Sequence, residues 1–208
     1  MQRIFAGSAP KGAPKAGCRT LRRRSGIFSR SVVLQVHATK FAAAKVFVPD
    51  VYDDDRGYFK EAWSKGKYAA LDLPTLEWEQ DSTSWSTRNV IRGMHYDFRM
   101  AKLVQCLHGR IFDAIVDLRR ESPTYLQWQG FILSAGNHRQ LYVPAGFAHG
   151  FIALADEVIV HYKNSVAYDP DSEGAISWRN PRVGIEWPLV GEPRLSAKDA
   201  AIALDALP

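Results

Sequence analysis

The sequence predicts a mainly β domain, a sandwich or jelly roll with a few short helices. From Lys45 onward, short apolar or alternating runs recur at near-regular spacing. The runs are about five residues long and rich in β-branched and aromatic side chains, which is strand chemistry. Gly, Pro, Asn and Asp separate them, as the turns of an all-β chain require.

In chain order, the first expected strand is 46–48, Val-Phe-Val. Leu-Val-Gln-Cys-Leu at 103–107 and the longer run at 111–118 follow, with Gly109 between them as a turn. Ser122-Pro123 then breaks the chain before a strand at 131–133, and Gly136-Asn137 before one at 140–143. Pro144-Ala-Gly146 precedes strands at 151–154 and 158–162, and Asp169-Pro170 ends the series. Helical character is confined to 64–70 and the tail 197–207. The 208 residues suffice for one domain with a sizeable core, and neither a repeat nor a linker divides it.

The sequence pI of about 9.2 suggests an anionic partner, but the charge is unevenly placed. Nine of the 27 Lys and Arg lie in residues 1–40, which hold no acid; the remaining 18 face 22 Asp and Glu. The domain itself is therefore acidic, which argues against a nucleic-acid binder. The leader, residues 1–40, is rich in Arg, Ser and Ala and reads as an organelle transit peptide, leaning towards plastid, ahead of a single domain at 41–208. Val36-His37-Ala38 suits a processing site; without such processing the protein would be cytoplasmic. No apolar run approaches the ~18 residues of a membrane span. The two cysteines, Cys18 and Cys106, do not form a disulfide framework.

The richest stretch is Tyr142-Val-Pro-Ala-Gly-Phe-Ala-His-Gly-Phe151, where His149 is isolated among apolar residues and glycines. A second isolated histidine, His95, lies in Ile91-Arg-Gly-Met-His-Tyr96. Together they point to a small polar pocket inside a β-barrel. Arg92 and His95 are three apart, so a plain strand would face them oppositely; a bulge at Gly93 is needed to bring both to one pocket. Lys102 enters an apolar strand, where an ammonium can stabilise an anion. Tyr162 ends a strand, and a buried phenol can act as a general acid. Arg56 and Glu61 follow an acidic turn, and Arg56 offers a fork for phosphate or carboxylate. Gln80-Asp-Ser-Thr-Ser-Trp-Ser86, with Gln80, Asp81 and Ser82 at its start, is a polar strand entry able to orient a sugar or base. Each has an ordinary reading alone: a surface ion pair, a polar edge, a satisfied core histidine, a snorkelling lysine. Asp199 alone reads as the start of a surface helix.

Their order gives them weight. Asp-x-Arg-Gly-x-Phe-x-Glu, Gln-Asp, Arg-Gly-x-His-Tyr, Ala-Lys-Leu-Val, Asp-Leu-Arg-x-x-Ser-Pro-Thr, Val-Pro-x-Gly-Phe-Ala-His-Gly-Phe, Tyr-Lys, Trp-x-x-Pro and Leu-Ser-x-Lys-Asp run in one series. The series resembles the dTDP-4-dehydrorhamnose 3,5-epimerase family over about residues 45–200. That resemblance implies a cupin-type jelly roll, a homodimer with exchanged strands and a dTDP-linked 4-keto-6-deoxyhexose substrate, with no metal or redox cofactor. It also implies roles. His95 resembles the general base and Asp199 its orienting carboxylate; Lys102 would stabilise the enolate. Tyr162 would return a proton on the opposite face, and Tyr168 would stack on thymine. Arg56, Glu61, Gln80, Asp81, Ser82, Arg92, His149, Glu173 and Lys198 match nucleotide- and sugar-contacting positions.

The chain departs from the family pattern in its short loop after Tyr96, in Asp97 for a glutamine, in Ser82 for an asparagine and in Met94 for a leucine. A C3-only epimerase is therefore an alternative. Two others are a metal-dependent cupin using His95, Asp97 and His149, and a non-catalytic sugar-nucleotide-binding cupin. All four proposed catalytic side chains are present, as an active enzyme requires.

Overall fold

The computed structural model describes residues 34–71 and 77–208. Residues 1–33 of the expected leader lie outside the described residues. The described strands are β1 (Gln35–Ala38), β2 (Lys45–Val48), β3 (Val51–Asp54), β4 (Gly57–Lys60), β5 (Gln80–Ser86), β6 (Ile91–Tyr96) and β7 (Lys102–His108). They continue with β8 (Arg110–Asp117), β9 (Trp128–Ser134), β10 (Gln140–Val143), β11 (Phe147–Ala153), β12 (Val158–Asn164) and the short β13 (Gly174–Ala175). The two helices are α1 (Lys65–Ala69) and α2 (Ala197–Ala200).

One sheet runs β1-β2-β10-β7-β12-β5 and a second runs β13-β6-β11-β8-β9, while β3 and β4 form a separate hairpin. Strands β5 to β12 pair as nested antiparallel partners: β5 with β12, β6 with β11, β7 with β10 and β8 with β9. Successive pairs alternate between the sheets, which is the jelly-roll arrangement expected from the sequence.

Alternation along each strand builds three apolar layers. Between the sheets lie Val104, Cys106, Leu141 and Val160 from one and Ile111, Ile115, Phe147 and Phe151 from the other. The outer face of the second sheet packs Met94, Ala114, Val116 and Ala148 under Ile176, Val183 and Trp187. The outer face of the first packs Phe47, Leu103 and Tyr142 under Trp63 and Tyr68 of the α1 segment. A polar row crosses that same outer face. Gln140, Gln105 and His161 are register partners on β10, β7 and β12. Their side chains bond in sequence: Gln140 Nε2 donates to Gln105 Oε1 at 3.2 Å, and Gln105 Nε2 lies 3.3 Å from His161 Nδ1. Tyr68 of α1 bonds Gln140, which closes the row against the helix.

Three expectations change. The tail expected to be helical over 197–207 is helical only over α2. Beyond it, Leu207 packs into the outer apolar layer and the Ala206 carbonyl accepts from Asn180 Nδ2, contacts a continuing helix could not make. The strand expected at 151–154 begins at Phe147, because the run around His149 pairs with β8 residue by residue. Val36-His37-Ala38, expected as a processing site, lies within β1, which pairs with β2 from Gln35↔Val48 to Ala38↔Lys45. The folded unit thus begins upstream of residue 41. An exposed edge strand, held by backbone bonds on one side, carries no hydrophobic alternation to reveal it.

Candidate active site

The inner face of β6 carries the first part of the site. His95 pairs with His149 and Arg92 with Phe151, and the register shifts between them. Gly93 and Met94 therefore oppose Gly150 alone, the two-against-one count of a β-bulge. The extra residue restores Arg92 and His95 to one face, as the sequence required. Gly93 has φ +128°, and a Cβ there would stand 2.6 Å from Gly150 Cα and 2.8 Å from the His149 carbonyl oxygen. Only glycine fits.

Arg92 and His95 line a cleft of about 550 Å³ together with Ser82, Tyr162, Lys198 and Asp199. His95 Nε2 is 2.7 Å from Asp199 Oδ1, and the Asp199 side chain is 4% exposed. Asp199 sits in the first turn of α2, whose cap Ser196 accepts from the Asp199 N–H. Burial alone would raise the Asp199 carboxyl. The bond to His95, the imidazole charge, the Ser196 hydroxyl and the Gly93 N–H outweigh it and hold the carboxyl below its ordinary range. The other ring nitrogen, Nδ1, lies 3.8 Å from Glu173 Oε1. Glu173 Oε2 in turn accepts from Lys198 Nζ at 2.5 Å and from the Tyr168 hydroxyl at 3.4 Å.

Tyr162 faces this group from the opposite sheet. Its hydroxyl is 3.0 Å from Ser84 Oγ. Burial drives the phenol well above its ordinary pKa, so it stays protonated. Lys102 lies on the same inner face, two positions before Val104, which pairs with Tyr162. Burial lowers its ammonium pKa, opposed by the negative charges of Glu173, Asp97 and Asp113. Behind Tyr162, the His149 ring stands edge-on at 6.2 Å. His149 Nε2 is 2.9 Å from the fully buried Asp113 Oδ1. The ring N–H is not directed along that contact, so neither side chain gains an aligned hydrogen bond.

The structure thus gathers His95, Asp199, Tyr162, Arg92, Ser82 and Lys198 around one cleft, with Glu173 and Tyr168 linked to it. Gln80 Nε2 bonds Ser82 Oγ, and Gln80 Oε1 accepts from the Tyr168 N–H at 2.8 Å. Lys102 and His149 are not among the residues lining the cleft, and three further expected residues lie away from it altogether. Asp81 points to the outer face, where it pairs with Lys163 at 2.7 Å. Arg56 stands 85% exposed on the β3–β4 hairpin, paired with Asp54, and Glu61 pairs with Lys67. Asp113 was missed by sequence reasoning, and Ser84 was read only as part of the polar run 80–86. Asp113 was legible as the lone acid amid the apolar run at 111–116, on the same strand face as Ile111 and Ile115.

The metal alternative needs His95, Asp97 and His149 to converge. Instead His95 faces Asp199, His149 faces Asp113 and Asp97 faces Arg99. Among the described residues, no group of three His, Cys, Asp or Glu is placed to hold a metal ion. No helix among them is long and apolar enough to cross a membrane.

Residues 38–205 match the family model described as dTDP-4-dehydrorhamnose 3,5-epimerase. The chain is 44% identical over 162 residues to the dTDP-4-dehydrorhamnose 3,5-epimerase of Salmonella typhimurium, covering 76% of this chain and 88% of the relative. Its fold is similar to the crystal structure of a dTDP-6-deoxy-D-glucose-3,5-epimerase from Legionella pneumophila in complex with dTDP-4-keto-L-rhamnose. The TM-score is 0.79 at 40% identity, over 81% of this chain and 91% of that one. It is also similar to the Bacillus anthracis dTDP-4-dehydrorhamnose 3,5-epimerase with TDP and PPi bound, with TM-score 0.79 at 42% identity, over 83% and 99%.

Proposed function

Because the chain belongs to the dTDP-4-dehydrorhamnose 3,5-epimerase family, and so is an epimerase, we propose that it inverts C3 and C5 of dTDP-4-dehydro-6-deoxyglucose to give dTDP-4-dehydro-L-rhamnose. The carrying observation is that His95, paired with Asp199 of α2, and a buried phenol, Tyr162, stand on opposing sheets across one cleft. Epimerisation needs that opposition: a proton leaves one face of a carbon and another arrives on the other.

The C4 ketone acidifies the hydrogens on C3 and C5. With Asp199 accepting from Nε2–H, His95 presents Nδ1 as the base and takes a proton from one of these carbons. The C–H electron pair forms a carbon–carbon double bond and C4 oxygen becomes an enolate. Lys102 offsets that charge, a contribution on the order of 3 kcal/mol for a preorganised donor. When the enolate collapses, Tyr162 delivers its proton to the opposite face and later regains one from solvent, while His95 releases the abstracted proton to solvent. Asp199 stabilises the imidazolium in the interval. Arg92 holds the diphosphate, and Tyr168 stacks on the thymine.

We propose further that the protein works as a homodimer with exchanged strands. The hairpin bearing Arg56 is exposed, with Phe59 70% exposed, and β1 is an uncovered edge; a second copy would cover them. Residues 1–34 precede both β1 and the family match, which supports reading them as a leader outside the enzyme domain.

Solvent deuterium uptake tests the reaction. Incubated with dTDP-4-dehydro-6-deoxyglucose in D2O, the protein should place deuterium at both C3 and C5. No uptake at either carbon refutes the reading, and uptake at C3 alone makes the protein a 3-epimerase.

A further inference from the structure

The chain between β12 and β13 leaves one sheet and joins the other, so it crosses the end of the cleft. Tyr168 and Glu173 lie on this crossing. At one end the Tyr168 N–H is held by Gln80, and at the other Gly174 pairs with Tyr96, next to His95. In mid-span Asp169 organises the turn: its Oδ1 accepts from the Asp171 N–H at 3.0 Å and its Oδ2 from Ser172 Oγ at 2.7 Å.

The same Asp169 Oδ2 accepts from Arg99 Nη2 at 3.2 Å. Arg99 belongs to the short loop that joins β6 to β7, and so stands between His95 and Lys102 in the chain. Its guanidinium is fixed from behind. Nη2 is 3.1 Å from Asp97 Oδ2, Nε is 3.3 Å from Asp97 Oδ1, and the Arg99 N–H donates to that Oδ1 at 2.7 Å. Asp97 is only 5% exposed. The loop has other anchors of its own: the Asp97 carbonyl accepts from Gly146, and the Ala101 N–H donates to Ser165 Oγ. Arg99 is therefore not needed to close the loop. Its outward arm has one partner beyond the loop, Asp169 in the crossing segment.

We propose that Arg99 is a positioning residue: by bridging Asp97 and Asp169 it sets the distance between the strand end that carries His95 and the turn that carries Tyr168 and Glu173. The idea rests on the epimerase reading above, since Tyr168 and Glu173 there meet the nucleotide and the sugar. A planar fork is required, because one guanidinium nitrogen lies within bonding distance of both carboxylates while Nε keeps the ring of bonds to Asp97. Lysine offers a charge without that geometry. Half of the Arg99 side chain is exposed, so the effect is on binding geometry and modest in size.

The test is steady-state kinetics on Arg99→Ala, Arg99→Lys and Asp169→Asn, with the melting temperature of each. Arg99→Ala should raise KM about fivefold with kcat within twofold of wild type. Asp169→Asn should raise KM similarly, the double variant should add nothing further, and Arg99→Lys should not restore KM. A merely structural role would lower the melting temperature and leave KM unmoved, which overturns the proposal, as do additive KM effects or a loss confined to kcat. If Arg99→Ala does not fold, Asp169→Asn alone decides by the same KM criterion. Wild-type protein that shows no exchange with the dTDP-sugar defeats the epimerase reading instead, a separate result from unchanged KM in an active enzyme.

Discussion

Replacing Asp199 by asparagine keeps the shape of the site and reverses the chemistry of its hydrogen bond. In the native protein a buried carboxylate lies 2.7 Å from His95 Nε2 and can only accept, so Nε2 carries the hydrogen and Nδ1 is left as a lone pair. Asparagine can turn its amide N–H toward Nε2, which moves the hydrogen to Nδ1 and removes the base. Even where the right tautomer persists, the imidazolium formed on proton abstraction loses its counter-charge. Stripping one partner from a buried ion pair costs about 4 kcal/mol, or roughly a thousandfold in rate. In the proposed mechanism the counter-charge matters when the imidazolium forms by abstraction from bound substrate, so kcat and kcat/KM should fall together with KM little changed. The measurement is deuterium incorporation at C3 and C5 by NMR beside steady-state turnover. The variant should keep its fold, because the α2 cap is a backbone bond from residue 199 to Ser196. Its acid stability should also change in a defined direction. The folded Asp199 carboxyl lies below its unfolded value, so the native charge contributes stability above that unfolded value and loses it as pH falls through the folded one. Asp199→Asn should flatten that part of the acid limb. Exchange within tenfold of wild type in Asp199→Asn means that Asp199 does not orient His95, and the mechanism drawn here fails.

Tyr162→Phe keeps the ring packed against His149 and removes the proton; turnover to inverted product should fall about a hundredfold or more while the His95-side hydrogen still exchanges, and undiminished inversion would remove Tyr162 from the reaction. In the proposed mechanism Lys102 must be protonated to offset the enolate, and burial lowers its pKa, so kcat should decline with rising pH before the ordinary lysine range near ~10.4 is reached. Lys102→Met should abolish that limb and lower kcat by about a hundredfold. Gly93→Ala sets a methyl group against the Gly150 backbone at positive φ, and urea unfolding should show a loss of roughly 2–4 kcal/mol; a loss under 0.5 would mean the bulge is not needed there.

Much of the fold could be read from the chain because the inner strands of a jelly roll are sharply patterned. Leu103 to Leu107 and Ile111 to Leu118 carry apolar residues on both faces, interrupted only by Gln105, Asp113 and Asp117, since each sheet is covered outside as well as inside. The need for a bulge at Gly93 followed from parity alone. What lacked a signal was held by something other than side-chain burial. β1 is exposed throughout and secured by backbone pairing. The tail after α2 folds through turns and is held by contacts with residues far away in sequence. Within the site, the residues on inner-face positions of β5, β6 and β12 arrive where sequence order suggested. Asp81 does not, because neighbours on a strand face oppositely and Ser82 already occupies the inward position. Arg56 and Glu61 stand outside the cleft of a single chain for a different reason: they belong to a hairpin that joins neither main sheet.

The polar row of Gln140, Gln105 and His161 acts as a key for alignment. It lies on the back of the strands whose front bears Lys102 and Tyr162, and His161 and Tyr162 are adjacent. If β12 slid by one residue, Tyr162 would turn to the outside and His161 would enter the apolar interior. Apolar side chains alone tolerate such a slip poorly but do not forbid it by chemistry. The contact between Gln105 and His161 does, since a displaced β12 would leave Gln105 Nε2 buried without that partner. The outward-facing chain of bonds, which never meets a substrate, therefore fixes which hydroxyl is presented to one.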